Sequence, residues 1–185
     1  MYALILAGGR GERLLPLTDS VPKPMVLLAG KPILLHQTEW LLKAGVTDVV
    51  FLAGYRWETI KEFFGDGSNY GFCAHYSIED SPLGRGGAIR KGMAMVPQSE
   101  RYLLVTNGDV ITEESSETVT AAYLRKLEAN PGHLATVMVV PFQSPYGLVD
   151  LDSQDDIQGF REKVELPYWI NGGVYVVSRD IQERL

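Results

Sequence analysis

Leu6-Ala7-Gly8-Gly9-Arg10-Gly11-Glu12-Arg13-Leu14, followed by Pro22-Lys23-Pro24, decides how this chain is read. The apolar run 2–6 that leads into it has the character of a buried strand. Glycines after such a strand let the backbone come close to a ligand and leave N–H groups free to point at it. Arg13 offers a two-pronged donor fork for phosphate oxygens. Lys23 adds a point charge, held between two prolines that stiffen the chain on either side. The same glycines could simply make a tight turn, but the cations that follow favour a polyphosphate. The spacing is neither G-x-G-x-x-G nor G-x-x-x-x-G-K-[ST], so the dinucleotide fingerprint and the P-loop are both excluded.

Outward from this segment, strand and helix patterns alternate. Strands are expected at 3–6, 48–53, 73–78, 101–106 and 134–140. Helices are expected at 32–43, 57–64, 86–95 and 116–129. Beyond residue 140 the pattern becomes β-rich, with strands at 147–151, 157–161 and 169–177. The expected fold is therefore α/β: a Rossmann-like three-layer sandwich with a mixed, mostly parallel central sheet and a β-rich subsite in the last third. A length of 185 residues fits one domain with a real core.

The formal charge is −6, which argues against nucleic acid or an anionic membrane as a partner. No segment suits a signal peptide or a bilayer span. Cys73 is the one cysteine, so there is no disulfide framework; a cytoplasmic setting is expected, with Cys73 in the core. His36, His75 and His133 are scattered without metal-ligand spacing.

Asn107-Gly108-Asp109 follows the apolar run 102–106 and carries two readings. Asn-Gly between apolar runs is a favoured hairpin turn. The run before it, however, is continuously apolar, as a buried parallel strand should be. Asp109 would then stand at the carboxyl end of a central strand, where open α/β sheets bind ligands. One carboxylate with substrate phosphates is an ordinary Mg²⁺ environment. Glu79 opens the loop Glu79-Asp80-Ser81-Pro82-Leu83-Gly84-Arg85-Gly86-Gly87. A carboxylate can accept from two adjacent donors such as guanine N1–H and N2–H₂, although Glu79 could equally face water.

The stretch 6–33, LAGGRGERLLPLTDSVPKPMVLLAGKPI, resembles the signature of sugar-1-phosphate nucleotidyltransferases. These enzymes join a nucleoside triphosphate to a sugar 1-phosphate and release pyrophosphate. Further matches recur to about Val177. Phe64-Gly65-Asp66-Gly67-Ser68 and Pro82-Leu83-Gly84-Arg85-Gly86-Gly87-Ala88-Ile89 are most similar to the mannose- and heptose-1-phosphate guanylyltransferase branch.

The resemblance implies a site residue by residue. Leu6, Ala7, Gly8, Gly9, Arg10, Gly11, Glu79, Pro82, Gly84 and Asn107 would meet the nucleotide, with GTP favoured. Gly108, Gly147, Glu162, Asn171 and Gly172 would line the sugar subsite. Arg13 would stabilise the leaving pyrophosphate, Lys23 and Lys163 would hold the α-phosphate and the sugar phosphate, and Asp109 would hold Mg²⁺. Arg85 departs from the small or hydroxylated residue expected at its place, and either reaches the phosphates or crowds the base. Family members continue beyond a point equivalent to 181–185, where a helix begins here, and usually carry a further metal-binding aspartate near Trp-x-Asp-Ile-Gly. That pattern does not occur in this sequence, so a shortened or truncated single domain is expected. Other readings stay open: a silent nucleotide-sugar-binding domain of the same fold, or transfer from UTP, dTTP or CTP or to a non-sugar phosphate. A homo-oligomer is also left open.

Overall fold

The apolar run becomes β1 (Tyr2–Ala7), buried along most of its length. The computed structural model describes all residues, 1–185. After β1 come a small hairpin, β2 (Leu27–Leu28) and β3 (Lys31–Pro32), and then α1 (Ile33–Lys43). The series β4 (Asp48–Ala53), α2 (Trp57–Phe64), β5 (Cys73–Ile78), α3 (Gly84–Met93), β6 (Tyr102–Asn107) and α4 (Ser116–Ala129) follows. The last strands are β7 (Ala135–Gln143), β8 (Leu148–Leu151), β9 (Ile157–Arg161) and β10 (Glu165–Ser178). The helix expected at the end is present as a 3-10 helix over residues 179–184.

The main sheet runs in the order β5-β4-β1-β6-β10-β7. β1 pairs in parallel with β4 and β6, and β4 with β5, whereas β10 runs antiparallel to β6. The sheet is thus mixed and mostly parallel, as expected from alternating strands and helices.

Strand periodicity divides the core between the two faces of the sheet. On one face Leu4, Val50, Leu52, Leu103 and Val105 pack with Ala88 and Met93 of α3 and with Val96 and Val177. Ile181 of the final 3-10 stretch, and Leu185 just after it, lean on the same cluster. On the other face Phe51 stacks on Phe64 of α2, centroids 5.0 Å apart, and meets Phe72 edge-on. Each valine, leucine, methionine or phenylalanine buried in this way stabilises by about 1.5–3 kcal/mol relative to exposure. The strands are anchored accordingly, and the loops at their carboxyl ends inherit a rigid base.

The chain falls into two units: Met1–Val137 with Gly173–Leu185, and Met138–Gly172. The second is β-rich, as the sequence pattern implies. It contains the antiparallel β8–β9 hairpin, with Leu148 opposite Arg161. The Arg161 guanidinium donates two hydrogen bonds to Asp150, of 2.9 and 2.8 Å.

Two expectations change. Cys73 is exposed rather than part of the core. It is the first residue of β5, an edge strand of the sheet, so its apolar sequence surroundings do not cover it. Helix α3 begins at Gly84, two residues before the expected start at Gly86. The hairpin reading of Asn107-Gly108-Asp109 is also resolved. β6 lies between β1 and β10, and the chain leaves it for α4 rather than for a partner hairpin strand.

Candidate active site

The carboxyl ends of β1 and β6 open into a cleft of about 750 Å³ in the first unit. Its walls are Leu6 to Gly11, Lys23 and Pro24, Gly54 and Tyr55, residues 79–82, Gly84, Arg85, Ala88, and Asn107 to Asp109. Its volume lies within the range of small-molecule sites. It stands where an open α/β sheet places its ligand.

The glycine loop is shaped by close approaches. Gly11 has φ +69°, and a Cβ there would lie 2.7 Å from Lys23 Cβ. Only glycine lets the loop and the Pro-Lys-Pro arm touch in this way. Thr18 is buried and donates from its hydroxyl to the Gly11 carbonyl at 3.1 Å. Gly9 has open space around it and is exposed to the cleft. Arg10 lies over the Tyr55 ring, 5.4 Å from its centroid. Tyr55 in turn lies within 3.3 Å, by its hydroxyl, of the Thr18 and Asp19 carbonyls.

Across the cleft, Lys23 forms an ion pair with Asp109. Asp109 is held there by the turn that ends β6. The Gly108 N–H donates to the Leu6 carbonyl at 2.8 Å. A Cβ on Gly108 would meet that carbonyl oxygen at 2.6 Å, so the turn admits no side chain there. Asn107 lies against Gly173, whose φ is +77°; a Cβ at Gly173 would be 2.7 Å from Asn107 Nδ2.

Glu79 stands at the end of β5, its own N–H donating to the Ala53 carbonyl at 2.8 Å. One carboxylate oxygen accepts from the Leu83 N–H at 3.1 Å. The other is the side-chain atom nearest to Gly8, 3.6 Å from where a Cβ would stand. The carboxylate therefore braces the loop 80–83 and borders the glycine turn at once. Pro82, Gly84 and Arg85 line the same wall.

The expected residues of the first unit thus converge, with one exception. Arg13 sits in the 3-10 turn Glu12–Leu14, is exposed, and is not part of the cleft wall. Gly147, Glu162, Lys163, Asn171 and Gly172 belong to the second unit or to its boundary. There, Glu162 and Gly147 are neighbours: a Cβ on Gly147 would be 3.0 Å from the Glu162 carboxylate. Gly172 backs onto Met138 in the same manner, at 3.0 Å from its carbonyl oxygen. Lys163 has φ +51°.

The sequence resemblance implies a divalent metal, and the residues present fit one. No group of three or more His, Cys, Asp or Glu side chains forms a protein cage. A single carboxylate completed by phosphate oxygens and water suits a hard cation that keeps its waters. Asp109 already holds a cation, the Lys23 ammonium, on its cleft side.

Two contributors were missed from sequence. Tyr55 carries no motif. Gln37 is 2% exposed, and its side-chain NH₂ donates to the carbonyls of Asn107 at 2.6 Å and Val110 at 2.9 Å. Its signal was present: α1 buries Leu34, Gln37, Thr38 and Leu41, a helical stripe with an amide at its centre.

Comparison with known proteins identifies the family. The nucleotidyl transferase family model matches residues 2–185. A D-glycero-alpha-D-manno-heptose 1-phosphate guanylyltransferase of Campylobacter jejuni is 39% identical over 98% of this chain and 77% of its own length. A mannose-1-phosphate guanyltransferase beta-A of Xenopus laevis is 36% identical over the whole chain, which spans about half, 52%, of that relative. The crystal structure of HddC from Yersinia pseudotuberculosis complexed with GMP-PN superposes with a TM-score of 0.71 at 27% identity, covering 100% of this chain and 79% of that one. A putative glucose-1-phosphate thymidylyltransferase from Bacillus anthracis shares the fold, with a TM-score of 0.74 at 22% identity over 99% of this chain and 74% of its own. The chain belongs to the nucleotidyl transferase family, and its similarity within that family is to sugar-1-phosphate guanylyltransferases.

Proposed function

We propose that this chain joins GTP to a sugar 1-phosphate of the mannose or heptose type, releasing pyrophosphate and forming a GDP-sugar. The observation that carries the reading is the convergence of the glycine loop, the Lys23–Asp109 pair and Glu79 on one cleft. Its relatives' specificity for guanylyl transfer supports the choice of GTP.

The reaction is an in-line displacement. An oxygen of the sugar phosphate forms a bond to the α-phosphorus of GTP, the bond from that phosphorus to the β-phosphate oxygen breaks, and pyrophosphate leaves. A phosphate monoester is already an anion at neutral pH, so catalysis rests on positioning and charge stabilisation. The N–H groups of Gly8 to Gly11 cradle the triphosphate, with Arg10 at hand on the Tyr55 ring. Arg13, outside the cleft wall, would have to swing in from the adjoining turn to stabilise the pyrophosphate. Lys23 holds the α-phosphate. Glu79 accepts from the guanine N1–H and N2–H₂. Asp109 would hold Mg²⁺, and the ion would supply charge neutralisation for the phosphates. In the second unit Gly147, Glu162, Asn171 and Gly172 contact the sugar and Lys163 its phosphate. No helix is long and apolar enough to cross a membrane; a cytoplasmic setting, with its nucleoside triphosphate supply, belongs to the same proposal.

Pyrophosphate release, measured with GTP, UTP, dTTP and CTP against a panel of sugar 1-phosphates, tests the proposal. GTP with a mannose- or heptose-type 1-phosphate should give the highest kcat/KM. A preference for another base, or release without any sugar phosphate, contradicts it.

A further inference from the structure

We infer that Gln37 is a positioning residue for the reaction: its amide clamps the Asn107–Val110 turn and thereby sets where the Asp109 carboxylate meets the metal–nucleotide complex. The inference rests on the reading of Asp109 as the metal carboxylate.

Gln37 lies on the buried stripe of α1, a place that an apolar residue would fill at no polar cost. Its two donors go to the carbonyls of Asn107 and Val110, the residues that bracket Gly108-Asp109. The amide orientation is forced, because the reverse would set an oxygen against two carbonyl oxygens. The remaining Gln37 oxygen is buried and has no hydrogen-bond partner. A side chain that leaves its acceptor unsatisfied while both donors serve one short turn is committed to that turn.

The rest of the turn shows what the clamp adds. Its near end is tied to β1 by the Gly108 N–H on the Leu6 carbonyl. The Asn107 carbonyl also accepts from the Val110 N–H at 3.3 Å and from the Thr106 hydroxyl at 3.2 Å. The far end, at the Val110 carbonyl, is held by Gln37 from a helix 73 residues away in sequence. Asp109 sits between the two ends, exposed, with only the Lys23 ammonium on its carboxylate. Without the clamp the Asp109–Val110 half of the turn is free to shift, and the carboxylate shifts with it. Partners that orient a metal ligand from behind typically carry 10–100-fold of metal affinity or activity.

The test uses Gln37→Met, which keeps volume and removes both donors. Mn²⁺ serves as the metal probe. GTP binding to the full chain is measured with Mn²⁺ and with the metal chelated, beside kcat, KM and thermal melting. Mn²⁺-dependent GTP binding should weaken by about 10-fold or more, and kcat should fall by about 10–100-fold. Metal-free GTP binding should stay within about twofold, and hydrogen exchange should rise selectively at 107–110. A purely structural role would lower the melting temperature and weaken both forms of GTP binding alike, and that result overturns the inference. So does wild-type metal dependence in the variant. If Gln37→Met fails to fold, Gln37→Asn carries the test: it keeps the amide but reaches at most one carbonyl, and should show the same selective loss to a smaller degree. Wild-type metal dependence there also overturns the clamp. A wild-type chain that binds GTP in neither form would instead remove the reading of the cleft on which the inference stands.

Discussion

Lys23 and Asp109 stand 86 residues apart in sequence and form an ion pair across the mouth of the cleft, their side chains 29% and 37% exposed. A pair this open to water adds little stability, about 0–1 kcal/mol. Its value lies in placing a cation and an anion where phosphate and metal would each take one partner. Asp109→Asn should therefore leave the melting temperature nearly unchanged while lowering metal-dependent turnover by about 100-fold or more. Circular-dichroism melts beside steady-state kinetics check both halves. Loss of folding with loss of activity would reassign the pair to structure.

Gly9 separates space needed by the fold from space needed by a ligand. Nothing lies near a Cβ built there, and its φ is not in the left-handed region. Gly9→Ala should fold as well as wild type yet bind GTP at least about 10-fold more weakly, since a methyl group would intrude where phosphates approach the backbone. Calorimetry decides it. Gly108→Ala is the contrast: its Cβ would press on the Leu6 carbonyl at 2.6 Å, costing about 1–3 kcal/mol of stability as well as activity.

Glu79 is predicted to set base preference. Glu79→Gln can still accept from the Leu83 N–H, so the loop should persist. Exchanging the charged acceptor for an amide removes about 1.5 kcal/mol from guanine recognition, about a tenfold narrowing of the GTP-over-UTP ratio in kcat/KM. An unchanged ratio would place Glu79 outside base recognition.

Acid stability should depend on Asp48. Burial pushes its carboxyl up, but hydrogen bonds with His75, Thr47 and Tyr2 together outweigh burial and hold it below the ordinary 3.8. His75 Nε2 lies 3.1 Å from the carboxylate, joining the starts of β4 and β5. A depressed folded-state value means a contribution present above the unfolded value and lost as pH falls through the folded one. Asp48→Asn should flatten the fall of stability below about pH 4, as read from urea midpoints across pH. A parallel fall in both proteins would contradict it.

Much of this was legible because the relevant signals are local. The continuous apolar run 102–106 marked β6 as a buried parallel strand, which placed Asp109 at its carboxyl end. The glycines and Lys23 announced the loop and its arm. What stayed hidden depends on tertiary neighbours. Gln37 stands on the buried stripe of α1, but which turn its amide serves shows only once β6 arrives over it. Tyr55 acquires meaning only once Arg10 lies on its ring. Cys73 was misjudged because strand character says nothing about position at a sheet edge. The β2–β3 hairpin was missed because its turn, Ala29-Gly30 with φ of 51° and 80°, uses an alanine where asparagine or aspartate would have signalled it.

Phosphorus NMR of the products tests the central claim most directly. Incubating the full chain with GTP, Mg²⁺ and mannose 1-phosphate or heptose 1-phosphate should convert the triphosphate signals into pyrophosphate and a new sugar-linked diphosphate, and Asp109→Asn should suppress both together. Inorganic phosphate as the product, or no sugar-linked diphosphate with any sugar phosphate offered, would contradict it.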